Sequence, residues 1–154
     1  MTKNIVFQRF LLLCFVVLQF ITTVNAQKIT MEQTLEYINK NVGNKCSVEI
    51  KKQLIVKFYK NGEIYRQDKV YIEDLDSDAV VYLHDEKAVI LKCKEGMEEC
   101  IERRLYVNKI KRAYSRLSII VNSDEKAGKG LEKAFIHLIK LVQEPGYKSS
   151  EPFE

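Results

Sequence analysis

Residues 54 to 70 read LIVKFYKNGEIYRQDKV: two stretches in which Val, Ile, Tyr and Phe alternate with Lys, Glu and Arg, separated by Asn61-Gly62. Alternation at period two describes a strand with one buried and one wet face. Asn-Gly between two such strands is the strongest short hairpin signal, because a two-residue turn that matches strand twist needs positive φ at both positions. These residues therefore predict an antiparallel β-hairpin.

The same texture runs from Cys46 to Asn122 and returns in RLSIIV, 116 to 121. Polar turns interrupt it at DLDSD (74 to 78), at DEK (85 to 87), at KEGMEE (94 to 99) and around Asn108 and Lys109. The segments between are 46 to 60 with a bend at Lys51-Lys52, 63 to 73, 79 to 84, 88 to 94, 100 to 107, 110 to 114 and 116 to 122, none interrupted by proline. Six or seven short strands joined by polar turns predict an antiparallel meander that curls into a barrel or sandwich. Val56, Phe58, Val70, Ile72, Leu83, Val89, Leu91 and Leu105 are expected to fill it together with Phe135.

A helix is predicted on each side of this region, which makes the chain mainly β within the α+β class. Thr30 with Gln33 three residues later is a capping box, and Met31, Leu35, Ile38 and Val42 recur at helical spacing before Gly43. Ser123 and Asp124 open a longer amphipathic helix that runs to Gln143 and stops at Pro145-Gly146. Its apolar arc is Leu131, Ala134, Phe135, Leu138, Leu141 and Val142. Gly128 and Gly130 weaken its first turns by about 1 kcal/mol each relative to alanine, so the secure helix is expected from Leu131. Ile136 falls outside the arc, as a surface hydrophobe or a homodimer contact.

The first 26 residues read as an address. Lys3 and Arg9 precede the uncharged run from Phe10 to Ile21, and Val24, Asn25 and Ala26 close it, the layout of a secretory signal cleaved after Ala26. The run is short for a spanning helix and carries Gln19. An acylated Cys14 would require a small residue where Leu13 stands. Residues 27 to 144 are then expected to form one small exported domain, secreted or periplasmic, without a transmembrane segment, and 145 to 154 a disordered tail. Of the 154 residues, 25 are basic and 21 acidic, but the signal takes two of the cations, and the remaining 128 residues carry a net charge of only +2. So small an excess excludes the electrostatic footprint of a nucleic-acid binder.

Three cysteines remain after processing, Cys46, Cys93 and Cys100, in a compartment where a pair is normally bridged. Three pairings are open. Cys93 with Cys100 is preferred because the two bracket the KEGMEE turn and would face each other across the neck of a hairpin. A loop that short is stabilised by roughly 2 to 3 kcal/mol, enough to pin a hairpin. Cys46 is then a buried thiol or a site of intermolecular pairing.

A strand meander followed by one C-terminal amphipathic helix resembles the pleckstrin-homology-like barrel over residues 46 to 143, in topology rather than in any motif. The resemblance implies that the last helix stoppers an open barrel end, with Phe135 or Leu138 in the role that tryptophan often has there; this chain has no tryptophan and adds an N-terminal helix. TLEYIN near the mature start with a closing HLIKL also looks like small exported bacterial proteins of unassigned function. A nuclear-transport-factor-like or other α+β cone is the competing architecture.

Asp74, Asp76 and Asp78 open like a calcium loop, but the sixth position is Ala79 rather than glycine and the twelfth is Asp85, between strands rather than helices. The one local basic excess is Arg103, Arg104, Lys109, Lys111, Arg112 and Arg116, with Tyr106 and Tyr114 among them. These residues could meet an anionic surface, and alternation is expected to send them to the wet face. His84 lies beside Asp85 and Glu86, and His137 at the flank of the last helix's apolar face. No glycine-rich phosphate loop, H-E-x-x-H or nucleophile elbow accompanies them, so no cofactor or metal is implied. The residues point to a non-catalytic binding or interaction module that meets a protein or an anionic surface. The alternative is a small ligand carrier or enzyme of cone-like fold, with a pocket under the last helix and His84 or His137 at its mouth.

Overall fold

In the computed structural model, which describes residues 29–121, 124–146 and 153, the chain enters α1 at Met31–Val42. Thr30 Oγ1 accepts from the Gln33 amide at 3.2 Å and Gln33 Oε1 accepts from the Thr30 amide at 2.9 Å, completing the capping box. Gly43, at φ 70°, ends the helix. A 3-10 turn, Gly43–Lys45, leads into β1 (Cys46–Ile50), β2 (Leu54–Lys60) and β3 (Glu63–Val70). Asn61 and Gly62 adopt φ values of 54° and 83°, as a type I′ turn requires. Lys51-Lys52 is a full reversal rather than the expected bend, since Ile50 pairs with Leu54 and Cys46 with Phe58. The described residues therefore hold eight strands: β4 (Val81–Leu83), β5 (Ala88–Lys92), β6 (Ile101–Leu105), β7 (Ile110–Tyr114) and β8 (Arg116–Ile120) follow, and α2 (Glu125–Gln143) closes the order. The predicted signal, residues 1–26, lies outside the described residues.

The strands form two antiparallel sheets, one ordered β1-β2-β3-β6-β7 and the other β4-β5-β8. They neither close into a barrel nor follow a simple meander. The departure begins after Val70, where the chain turns inward through a 3-10 turn at Ile72–Asp74 and buries Ile72 and Leu75. Gln143 of α2 donates to the carbonyls of Ile72 and Leu75 at 2.8 and 2.7 Å, so this crossing segment is held by helix as well as by core. The β4-β5 hairpin then starts the second sheet, and β6 returns to pair with β3. Between β7 and β8 a single residue, Ser115, turns the chain from one sheet into the other. Its carbonyl accepts from the Cys93 amide at 3.0 Å.

Cys93 and Cys100 are bridged, with Cα atoms 5.8 Å apart. Because β5 and β6 lie in different sheets, the bridge does not cross a hairpin neck as expected. It ties the sheets together beside the Ser115 corner.

Two helices and both sheets enclose one core. Val48, Leu54 and Val56 enter it from the first sheet, Val89, Leu91, Leu117 and Ile119 from the second, and Ile38, Leu131, Phe135 and Leu138 from the helices. In β4 the buried residue is Tyr82 and not Leu83, a shift of one position. Ile136 is half-buried against this core, and Ile139 is fully buried. The edge of β1 is covered: the Asn39 amide of α1 donates to the Val48 carbonyl and accepts from the Val48 amide, both at 2.8 Å. That side chain pairs with an edge strand as a neighbouring strand would.

α2 is helical from Glu125, through both of its glycines. A Cβ at Gly128 would stand 2.4 Å from the Tyr82 ring, and one at Gly130 would stand 2.1 Å from Tyr37 Oη and 2.7 Å from the Phe153 carbonyl. The helix gives up propensity for close approach. Phe153 is described within the segment expected as a tail: it is 7% exposed, packs on the rings of Tyr37 and His137, and accepts a hydrogen bond from Tyr37 Oη. Replacing an exposed helical glycine by alanine stabilises by roughly 1 kcal/mol. Gly130→Ala is expected to have the opposite sign and to cost about 1 to 3 kcal/mol by overpacking, read from urea unfolding curves.

Candidate functional site

Alternation along β3 places Arg66 and Asp68 on the same face as the buried Val70. A carboxylate carried to the interior must be paired there, because removing its water costs several kcal/mol. Asp68 is fully buried and receives two guanidinium groups. From the same strand, Arg66 Nε donates to both carboxylate oxygens at 3.0 Å and its Nη2 donates as well. From β6, Arg103, the residue directly opposite, donates through Nε at 3.0 Å and Nη2 at 3.0 Å. Each guanidinium lies on an aromatic ring, Arg66 on Phe58 at 4.2 Å and Arg103 on Tyr114 at 4.1 Å. The rings present their electron-rich faces to the cations and confine the rotamers. Arg103 Nη2 also reaches the Arg116 carbonyl of β8 at 3.3 Å, so the cluster touches both sheets.

The six basic residues picked out by sequence do not form one surface. Arg103 points inward, with a side chain only 16% exposed, which corrects the expectation of a wet face. Arg112, directly opposite Arg103 in β7, is on the same face of the sheet and is exposed. Arg104 and Lys111 are paired on the other face. Lys109, at φ 52°, belongs to the turn between β6 and β7. Arg116 belongs to the second sheet, where it pairs with Glu86 and donates to Ser118 Oγ at 3.2 Å. Lys111 pairs with Glu102 at 2.8 Å. Arg104, Lys109 and Arg112 have no carboxylate partner among the described residues.

The hairpin from Arg104 to Arg112 contains no acidic residue. Its turn holds Tyr106 and Val107, 39% and 80% exposed. Tyr106 is anchored through its amide to the Tyr65 carbonyl at 2.9 Å, and the Arg104 guanidinium stands 5.1 Å from its ring centroid. Among the described residues β7 pairs only with β6, so no described strand covers its outer edge.

The two histidines occupy separate places. His84 is exposed, with Nδ1 3.7 Å from Glu125 at the start of α2. His137 lies twelve residues along that helix, about 18 Å away at 1.5 Å per residue. It is buried, with Nε2 3.3 Å from the Ile29 carbonyl, and burial lowers its pKa. In the DLDSD turn, Asp76 accepts from the Asp78 amide at 2.9 Å. Among the described residues no three His, Cys, Asp or Glu side chains gather to hold a metal ion.

Cys46 is a free, buried thiol in register with Phe58, which is itself opposite Arg66. Burial pushes its pKa up to about 12, the Arg66 guanidinium lowers it, and the Asp68 carboxylate adds to the rise. Arg66 and Asp68 were not singled out from sequence. The signal was present in their positions, four and two residues before Val70, an expected core residue. Comparison with protein-family models, curated proteins and solved structures finds no match.

Removing the carboxylate leaves two largely enclosed guanidinium groups facing each other. Asp68→Ala is therefore expected to lower the unfolding free energy by about 3 kcal/mol or more, measured by chemical denaturation. The Cys46 thiol is expected to resist iodoacetamide at pH 8 in the native protein and to react fully in denaturant, as peptide mapping without reductant would show.

Proposed function

We propose that this chain is an exported, non-catalytic binding module that engages an anionic surface through the hairpin between β6 and β7. The observation that carries this reading is the composition of that hairpin: exposed Tyr106 and Val107 between Arg104, Lys109 and Arg112, three cations with no carboxylate partner among the described residues. Cations around an apolar tip suit an interface that is negative outside and apolar beneath. Tyrosine is a common interfacial residue because its ring is apolar and its hydroxyl stays wet. Export is supported by the sequence of residues 1 to 26 and agrees with the bridge between Cys93 and Cys100. No helix among the described residues is long and apolar enough to cross a membrane.

Each cation near an anionic bilayer is worth about 1 kcal/mol, and partial insertion of Val107 and Tyr106 adds about 1 to 3 kcal/mol. The sum corresponds to reversible binding, with Kd between about 1 mM and a few tens of micromolar. Such binding weakens as salt screens the cations.

Cosedimentation with vesicles tests this. Binding is expected to zwitterionic vesicles containing a third of anionic phosphatidylglycerol, but not to purely zwitterionic ones. Val107→Asp is expected to reduce it about tenfold, and Arg104→Gln about fivefold. Equal binding to both vesicle types, or binding that neither substitution alters, would rule the hairpin out.

A further inference from the structure

The face that carries Asp68 has more positive charge than its one carboxylate can balance. Across three neighbouring strands, the register sets Asp68 opposite Arg103 and Arg103 opposite Arg112, a row that reads minus, plus, plus. Arg66 adds a further cation from the same face of β3. Like charges directly opposite each other destabilise a strand pair, and Arg112 finds no carboxylate among the described residues. Counting Arg66, Arg103 and Arg112 against Asp68 leaves a formal charge of +2 on one side of one sheet.

The unused donors of these side chains are accessible. Arg66 and Arg103 address Asp68 through Nε and Nη2. Their Nη1 groups donate to no described atom, yet neither is among the enclosed, unpartnered polar atoms. Each of the two side chains keeps 16% of its surface exposed, while Asp68 and the rings of Phe58 and Tyr114 hold both guanidinium planes in place. A ligand would meet a preorganised pair of forks. Fixed forks lose less freedom on binding than surface arginines do.

We infer that this face binds one phosphate monoester group, with Arg66, Arg103 and Arg112 as its donors. The group carries about −1.5 to −2 at neutral pH and three strong acceptor oxygens, which match the +2 excess and three guanidinium groups. Asp68 is a positioning residue: it orients two of the donors and does not touch the ligand. The site is on the opposite face of β6 and β7 from Arg104 and Lys111 and does not require the apolar hairpin tip, so it goes beyond the surface reading and can fail separately from it.

The test follows the arginine Nε–H resonances of 15N-labelled protein during titration with inorganic phosphate, with sodium chloride at equal ionic strength as the control. The Arg66, Arg103 and Arg112 signals are expected to shift saturably with phosphate only. Arg112→Gln, a substitution at an exposed position that also relieves the like-charge contact with Arg103, is expected to weaken phosphate binding about tenfold without lowering the thermal midpoint, while Val107→Asp leaves phosphate binding unaltered. Two further arms separate the sources of the group. A preference for vesicles containing phosphatidic acid over those with phosphatidylglycerol at equal charge assigns a lipid headgroup; saturable binding of glucose 6-phosphate without that preference assigns a soluble ester. Absence of a saturable shift, an equal shift with chloride, or phosphate binding undiminished in Arg112→Gln overturns the site.

Discussion

A carboxylate with no access to water sits inside the five-stranded sheet, and the β3–β6 pairing is organised around it. Asp68 of β3 meets Arg103 of β6 directly across the strands, and this is the pairing that joins segments distant in the chain. A slip of one residue would remove Arg103 from Asp68 and turn Glu102 and Arg104 to the face that Ile101 and Leu105 occupy. Hydrophobic alternation in β6, IERRL, puts Ile101, Arg103 and Leu105 on one face and Glu102 and Arg104 on the other. The ion cluster adds to that preference, because in this register Asp68 has Arg103 as well as Arg66 for partners. The rings of Phe58 and Tyr114 limit the same two arginines from below, so charge and packing specify the same arrangement.

The second constraint is the corner where the sheets part. Strands β7 and β8 are one almost continuous run bent at Ser115, while Cys93 and Cys100 close the adjacent connection covalently. A disulfide of this loop length contributes roughly 2 to 3 kcal/mol in the chain-entropy account wherever it lies. Its position decides what that energy protects. Between two sheets, it resists their spreading at the end from which the guanidinium-bearing face opens.

Local structure was legible in the sequence because local chemistry determines it. The Asn61-Gly62 turn, the Thr30 capping box and the Asp124 cap depend on residues within a few positions of one another. The division into two sheets depends on whether the chain after Val70 turns back along its neighbour or dives inward. The buried Ile72 and Leu75 and the distant Gln143 decide that, and no short window contains all three. The two α2 glycines looked like defects for the same reason, since the Tyr82 ring and the Phe153 carbonyl that require them lie tens of residues away in the chain. The basic cluster was visible as composition, but its partition between faces needed the strand register, and its acidic centre lies in another strand altogether.

The two margins of the large sheet are unequal. The Asn39 amide occupies the backbone groups of Val48 at the β1 margin, while β7 keeps its outer row of donors and acceptors open. Within this sheet, among the described residues, strand addition is therefore obstructed at β1 and unobstructed at β7. One asparagine on a short helix thus occupies backbone groups that would otherwise be open to strand addition.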